Sequence, residues 1–280
     1  MTSPLLSRFN RQLKLPDIRC TSNSMMLQIS GKPAFLIIGA QKAGTSSLFR
    51  YLAQHPNIQL PQKKELHFFD VWYGNGIEWY EGQFPRACSH SQYISGEASP
   101  YYVFHPLVPE RVFRHYPTIR LIVLLRNPVD RAYSHFHMAR NRNKEPEESF
   151  MRAVDLEYDR IAFEKQQIKE GIINSGGSFR NWSYVSRGLY GEQIARWQQY
   201  FPSEQFLFIK SEDFYANTID ELEQVHDFLD IPNVPPVDIS PVNTNQYPDL
   251  PASDRKKLEE YFREDGTVLR KLIGSRFSWF

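Results

Sequence analysis

Ala34-Phe35-Leu36-Ile37-Ile38-Gly39 is an unbroken apolar run that stops at a glycine, and the residues that follow, Thr45 to His55, carry the pattern of a helix. A strand buried on both faces reads as a continuous apolar run, and parallel sheets covered by helices bury their strands in this way. The unit recurs. Arg120-Leu121-Ile122-Val123-Leu124-Leu125-Arg126 leads through Asn127-Pro128 into a helical pattern that reaches about Arg140. Pro128 suits the first helical turn, where its missing N–H costs nothing. A third strand, Gln205 to Lys210, follows a helix-like segment from Tyr190 to Tyr200. Strands alternating with helices predict an α/β fold with a central, mostly parallel sheet and helices on both faces.

A chain of 280 residues with 41% hydrophobic content is long enough for one substantial core. We assign it to a single domain, 33–280, preceded by a polar extension, 1–32, that contains Pro16 and the run Thr21-Ser22-Asn23-Ser24. From Glu147 to Lys169 the chain is highly charged, with Phe150, Val154, Tyr158 and Ile161 at helical spacing. This predicts an exposed amphipathic helix whose charges form a solvated face. Ile231 to Pro251 reads as a long loop before a final helix from about Asp254. Lys and Arg number 33 against 32 for Asp and Glu, which excludes the broad positive field of a nucleic-acid binder. Any anion site must be local. The two cysteines, Cys20 and Cys88, are too few for a disulfide framework and have no metal-ligand spacing, so free thiols are expected. No apolar stretch is long enough for a membrane span or a signal-peptide core, so a soluble, cytoplasmic protein is expected.

The first strand opens onto Gly39-Ala40-Gln41-Lys42-Ala43-Gly44-Thr45-Ser46-Ser47. Glycine there lets the backbone turn tightly while N–H groups at the start of a helix converge on an anion. A plain strand-to-helix turn with a solvated lysine is the competing reading; Lys42 and the three hydroxyls favour a phosphate loop. It is not the loop of nucleoside triphosphatases, in which lysine directly follows the second glycine. Here Lys42 precedes Gly44.

This spacing resembles the 5′-phosphosulfate loop of sulfotransferases that use 3′-phosphoadenosine 5′-phosphosulfate (PAPS). Further segments extend the resemblance in the same order along the chain. Lys63-Lys64-Glu65-Leu66-His67-Phe68-Phe69-Asp70 is similar to a segment of the heparan sulfate (glucosaminyl) sulfotransferases and their bacterial relatives, and Gly76-Ile77-Glu78-Trp79-Tyr80 continues it. Gly96-Glu97-Ala98-Ser99-Pro100-Tyr101-Tyr102 and Leu107-Val108-Pro109-Glu110-Arg111 are similar to the family's central segment. Arg126-Asn127-Pro128-Val129-Asp130-Arg131-Ala132-Tyr133-Ser134 resembles its 3′-phosphate site, and Ser186-Arg187-Gly188-Leu189-Tyr190 and Phe277-Ser278-Trp279 occupy family-like places.

The resemblance implies a sulfotransferase-type nucleotide-binding fold and sulfuryl transfer from PAPS to a hydroxyl or amine, with a carbohydrate or glycoconjugate as the expected acceptor. It implies that Gln41, Lys42, Ala43, Gly44, Thr45, Ser46 and Ser47 hold the 5′-phosphosulfate, Lys42 stabilising the leaving group. It places Arg126 and Ser134 at the 3′-phosphate, with Arg187 as a further contact and Gly188 allowing close backbone approach. Glu65 is the expected general base, its pKa raised by Phe68 and Phe69, with His67 assisting it or serving as the base itself. Arg131 is expected in a helix-surface ion pair with Asp130 or another acid. Taken alone, Glu65 could equally pair with Lys63 or Lys64, and His67 could be a core histidine. No metal is expected, because lysine, arginine and helix N-termini supply the positive charge that Mg²⁺ gives a kinase.

Two features depart from the glycan-modifying members. Ala98 stands where they often carry lysine, and Ser240-Pro241-Val242-Asn243-Thr244-Asn245-Gln246-Tyr247 holds only neutral polar groups where their late cofactor loop carries lysine and cysteine. A polyketide, lipid or phenol therefore stays open as the acceptor. A small-molecule kinase is disfavoured by the loop spacing, and a non-catalytic nucleotide-binding module by the presence of both Lys42 and Glu65. Trp72, Tyr73, Trp79, Tyr101 and Tyr102 are either core residues or platforms for a sugar.

Overall fold

The computed structural model of the chain describes residues 31–85, 93–242 and 247–280. Cys20, Cys88, the extension up to residue 30 and Asn243-Thr244-Asn245-Gln246 of the late loop lie outside the described residues.

Four strands, β1 (Phe35–Gly39), β2 (Gly96–Ala98), β3 (Arg120–Leu125) and β4 (Phe206–Lys210), form a parallel sheet in the order β2-β1-β3-β4. Phe35 pairs with Gly96 on one side and Arg120 on the other, and Leu121 pairs with Phe206. All of β1 is buried, as is β3 from Leu121 onward, which accounts for their unbroken apolar sequences. The chain passes from β1 to β2 on one side, then crosses to β3 on the other. The strand order therefore reverses between β1 and β3, and the crevice beyond their carboxyl ends is where open α/β sheets bind ligands.

Helices α1 (Thr45–Leu52), α2 (Ile77–Glu81) and α3 (Val108–His115) precede β3; α4 (Pro128–Asn141), α5 (Phe150–Asp155), α6 (Glu157–Lys169), α7 (Gly177–Trp182) and α8 (Tyr190–Trp197) separate β3 from β4. Beyond β4 come α9 (Ser211–Ala216), α10 (Thr218–Leu229) and α11 (Ala252–Ile273). The main apolar core gathers the sheet with Leu48, Leu52, Ile194, Trp197, Leu222 and Val225. A second cluster joins Val129, Ala132 and Phe136 of α4 to Phe150 of α5 and to Leu258 and Phe262 of α11.

The segment from Glu147 to Lys169 differs from its expected form. It is two helices meeting at Leu156, and that break turns the second helix away from the predicted stripe. Phe150 and Ile161 are buried, while Tyr158 is 78% exposed. Nor are the charges all solvated. Glu157 is buried and accepts the backbone N–H groups of Val185 and Ser186, which fixes the approach to Arg187. Glu145 is also buried, between Arg160 and the hydroxyl of Tyr184.

Candidate active site

Beyond β1 the backbone turns through Lys42, at φ 74°, and Gly44, at φ 102°. Gly44 needs that freedom twice over, since a Cβ there would also meet the Tyr215 hydroxyl at 3.0 Å. Among the described residues no side chain caps α1, so the N–H groups of its first turn are presented beyond β1 with the positive end of the helix dipole. The contrast with α4 is sharp, because Asn127 Oδ1 caps that helix by accepting from the N–H groups of Val129 and Asp130. Thr45 is buried and Ser46 half-buried, while Ala43 packs into the core. Ser47 is a correction. Its buried hydroxyl accepts the N–H of Val242 and pairs with the Tyr215 hydroxyl at 3.3 Å, so it fastens the late loop to α1 rather than facing an anion. Tyr51, Gln54 and Arg50 continue that fastening through Ile239 and Asp238.

Arg126 leaves β3 and donates to the Lys42 carbonyl at 3.2 Å, joining the two strand ends across the switch point. Around them the charge is strongly one-sided. Burial lowers the Lys42 pKa, and the charges of Arg126, Arg142 and Arg131 lower it further. Arg187 is buried, donates to Gln41 Oε1 at 2.5 Å and to the Arg180 carbonyl at 2.6 Å, and lies over the Tyr101 ring at 4.5 Å. Its Nε has no partner among the described residues. His135, buried on α4, is held neutral by burial and by the charges of Arg187, Arg131, Lys42 and Arg142. Ser134 is buried on the same helix.

Arg131 is not the surface ion pair expected of it. It is fully buried and donates to the Tyr184 carbonyl, while its Nε and Nη1 lack partners among the described residues; Asp130 pairs with Arg255 instead, at 2.6 Å. The guanidinium points inward because Asp130 and Arg131, as helix neighbours, face different sides of α4. Gly188 is also corrected. The space beside it is filled by Phe262 and Pro128, within 3.0 Å of where a Cβ would stand, so the glycine serves the packing of α11 against α4.

Opposite this cluster, the segment 65–70 is held by side chains of β2 and the turn after it. Glu97 Oε2 accepts the Leu66 N–H, Ser99 Oγ accepts the His67 N–H, and the Tyr102 hydroxyl accepts the Phe68 N–H at 3.0 Å. Glu97 is the hub. Its buried carboxylate also accepts the hydroxyls of Tyr80, Ser99 and Tyr102, and burial raises its pKa although those hydroxyls oppose the rise. Glu97→Ala is expected to cost on the order of 3 kcal/mol of stability or more, by stranding several buried donors, and Glu97→Gln less. Urea unfolding of the three proteins checks this ranking.

The scaffold holds Glu65 at φ 63° and His67 at φ 53°, both left-handed. His67 Nδ1 lies 2.7 Å from Asp70 Oδ2 and Nε2 lies 3.2 Å from Glu65 Oε2, giving a carboxylate–imidazole–carboxylate chain. Lys64 Nζ closes on Glu65 Oε1 at 2.9 Å. The expected rise in the Glu65 pKa is overturned. Burial pushes it up, but hydrogen bonds with His67 and Lys64 and the charge of Lys64 outweigh burial and hold it at about 2. Phe68 and Phe69 are both buried, Phe68 stacked on Tyr80 with ring centres 4.6 Å apart. For His67, burial lowers the pKa, and hydrogen bonds with Asp70 and Glu65 raise it to about 9.

A cavity of about 400 Å³ unites the two sides, lined by Gln41 and Arg187, by Glu65 and His67, and by His135, Arg142 and Arg180. Lys42, Arg126 and Ser134 lie outside its lining. Of the aromatic residues singled out, Tyr101 lines it, Tyr102 belongs to the Glu97 hub, and Trp72 and Trp79 are exposed. Asp70, Arg180, Arg142 and His135 escaped the sequence reading. Asp70 was legible as the next polar residue after the aromatic pair, whereas α7 carries no apolar periodicity that would have placed Arg180 here.

A model of the sulfotransferase domain matches residues 32–247. Over 312 aligned residues the chain is 30% identical to the membrane-associated sulfotransferase kil1 of Dictyostelium discoideum, covering 88% of this chain and 66% of that protein. It is 34% identical over 202 residues to heparan sulfate glucosamine 3-O-sulfotransferase 6 of Mus musculus, covering 72% of this chain and 53% of that protein. The chain thus spans about two thirds and about half of the lengths of these relatives. A solved sulfotransferase from Alicyclobacillus acidocaldarius superposes with a TM-score of 0.73 at 30% identity, covering 87% of this chain and 96% of that one. A parallel sheet with a cationic switch point, a family match over most of the chain and this shared architecture lead to one conclusion: the chain belongs to the sulfotransferase family, enzymes that use PAPS as cosubstrate.

Proposed function

We propose that this protein transfers a sulfuryl group from PAPS to a hydroxyl or amine of a carbohydrate or glycoconjugate by in-line displacement. The observation that carries the proposal is the two-sided site, in which Gln41 of the phosphate loop and the cations Arg142, Arg180 and Arg187 share one cavity with the Glu65–His67 pair. PAPS supplies the sulfuryl group and a phosphate leaving group. The first turn of α1 and Lys42 hold the 5′-phosphate end, with Lys42 stabilising the charge that develops on departure. Arg126, Ser134 and Arg187 hold the 3′-phosphate, and the unpartnered nitrogens of Arg131 and Arg187 add to the field that attracts it. Glu65 accepts the acceptor's proton, and His67, oriented by Asp70, holds Glu65 in place. The glycan acceptor is supported by the likeness to a heparan sulfate sulfotransferase.

Calorimetric titration with adenosine 3′,5′-bisphosphate, with ATP and adenosine 5′-monophosphate as controls, tests the cofactor assignment. Binding is expected to require the 3′-phosphate and to weaken by roughly 10- to 100-fold in Arg126→Ala, the loss of a charge-assisted contact. Equal affinity for ATP would overturn these assignments. Acceptor screening with PAPS then compares aminosugar oligosaccharides with phenols and lipid alcohols; sulfation of the latter alone would overturn the glycan reading.

A further inference from the structure

His67 Nε2 has two close neighbours with opposite demands. Glu65 Oε2, at 3.2 Å, can only accept a hydrogen bond when ionised, whereas Arg180 Nη2, at 2.7 Å, can only donate. Because Asp70 takes the proton on Nδ1, one nitrogen is left for both partners. If Nε2 carries a proton it serves Glu65 and confronts Arg180 donor to donor. If it does not, it serves Arg180 and presents a lone pair to the carboxylate. Arg180 forms no ion pair among the described residues, lines the cavity beside Arg142 and Arg187, and is tied to the anion side because its carbonyl accepts from Arg187. Its helix is fixed from behind, where the Phe179 N–H donates to Glu164 Oε2 at 2.7 Å.

We propose that Arg180 is a positioning residue that couples anion occupancy of the cavity to the proton on His67. In the empty site its guanidinium opposes that proton; negative charge entering the cavity draws it away, and His67 then turns an N–H to Glu65 without competition. The remaining groups around this chain leave Arg180 as the mobile term. Asp70 is buried and lies near Arg111, which is itself anchored on the Phe69 carbonyl and Asn174. Lys64 is engaged by Glu65, Tyr101 lies beneath Arg187, and His135 is neutral. The charge of Arg180 lowers the His67 pKa against the pull of Asp70 and Glu65, as this competition requires.

The proposal rests on the assignment of Glu65 and His67 to the reacting site, and its test is separable from that assignment. The His67 ring is titrated by NMR, identified by the signal lost in His67→Ala, with and without adenosine 3′,5′-bisphosphate. In the native protein the nucleotide is expected to raise the midpoint by about one pH unit, the effect of withdrawing one nearby like charge. In Arg180→Gln the midpoint is expected to start high and to move little on binding, while Arg180→Lys keeps part of the response. Calorimetry near pH 9, around the His67 midpoint, in buffers of different ionisation enthalpy reads the same event as proton uptake, lost in Arg180→Gln. A midpoint unchanged by Arg180→Gln, in a protein that still binds the nucleotide, overturns the coupling even if Glu65 is the base. A moved midpoint alongside full turnover in Glu65→Gln upholds the coupling and overturns the base.

Discussion

Lys42→Ala is expected to lower turnover by roughly 10²–10³, the usual cost of removing one donor aimed at transition-state charge. The loss should fall on kcat more than on the KM for PAPS, because the lysine answers charge that grows as the leaving group departs. Folding should be spared. Lys42 stands among Arg126, Arg131 and Arg142, whose charges oppose its own, so its removal relieves repulsion in the ligand-free protein. Lys42→Arg is expected not to restore the rate, since a bulky planar fork cannot occupy the place of a compact ammonium. Steady-state kinetics with thermal unfolding as the control decides the matter, and native turnover in Lys42→Ala would remove this residue from the mechanism.

Glu65→Gln should lower kcat by roughly 10²–10⁴ at unchanged nucleotide affinity, the range for loss of a general base. His67→Ala should cost less if the imidazole only holds the carboxylate. The pH profile separates the roles. Glu65, held at about 2, is ionised throughout the working range, and His67, raised to about 9, is charged below that value. With Glu65 as base, kcat/KM is expected to be level from about pH 5 to 8 and to fall as His67 loses its proton near 9. A neutral His67 acting as base would make the rate climb over that interval instead. Stability follows the same two groups. The Glu65 contribution is present above its ordinary value near 4.5 and lost as pH falls through about 2; that of His67 is present below 6.5 and lost as pH rises through about 9.

The sequence made β1 and β3 readable because strands buried on both faces leave continuous apolar runs, and β4, a half-buried edge strand, still carries four apolar residues in a row; the helices behind β1 and β3 begin where the glycine and proline signals put them. It hid β2. That strand is three residues long and has a buried glutamate at its centre, whose burial is made possible by hydroxyls and an N–H arriving from separate parts of the chain. The same physics explains the other differences. The inward turn of Arg131 and the capture of Ser47 by the late loop each depend on a partner brought from elsewhere by the fold, and no local spacing announces it, whereas the low pKa of Glu65 comes from its sequence neighbours Lys64 and His67. Lys42, Glu65, His67, Arg126 and Arg187 could be picked out as candidates because they sit in short segments whose residue types suit one chemistry. Their electrostatic states could not, since these belong to the assembled site.

Lys42, Glu65 and His67 share a backbone conformation that disfavours any residue with a side chain by roughly 1 kcal/mol or more. Glycine would adopt it freely, yet glycine has no ammonium, carboxylate or imidazole to offer. At Lys42, whose charge its arginine neighbours already oppose, thermal robustness and reactivity therefore rank the amino acids in opposite orders. A library of variants sorted by heat alone would drift towards glycine there and lose the ammonium, whereas one sorted by product formation would keep the lysine and accept a less stable fold.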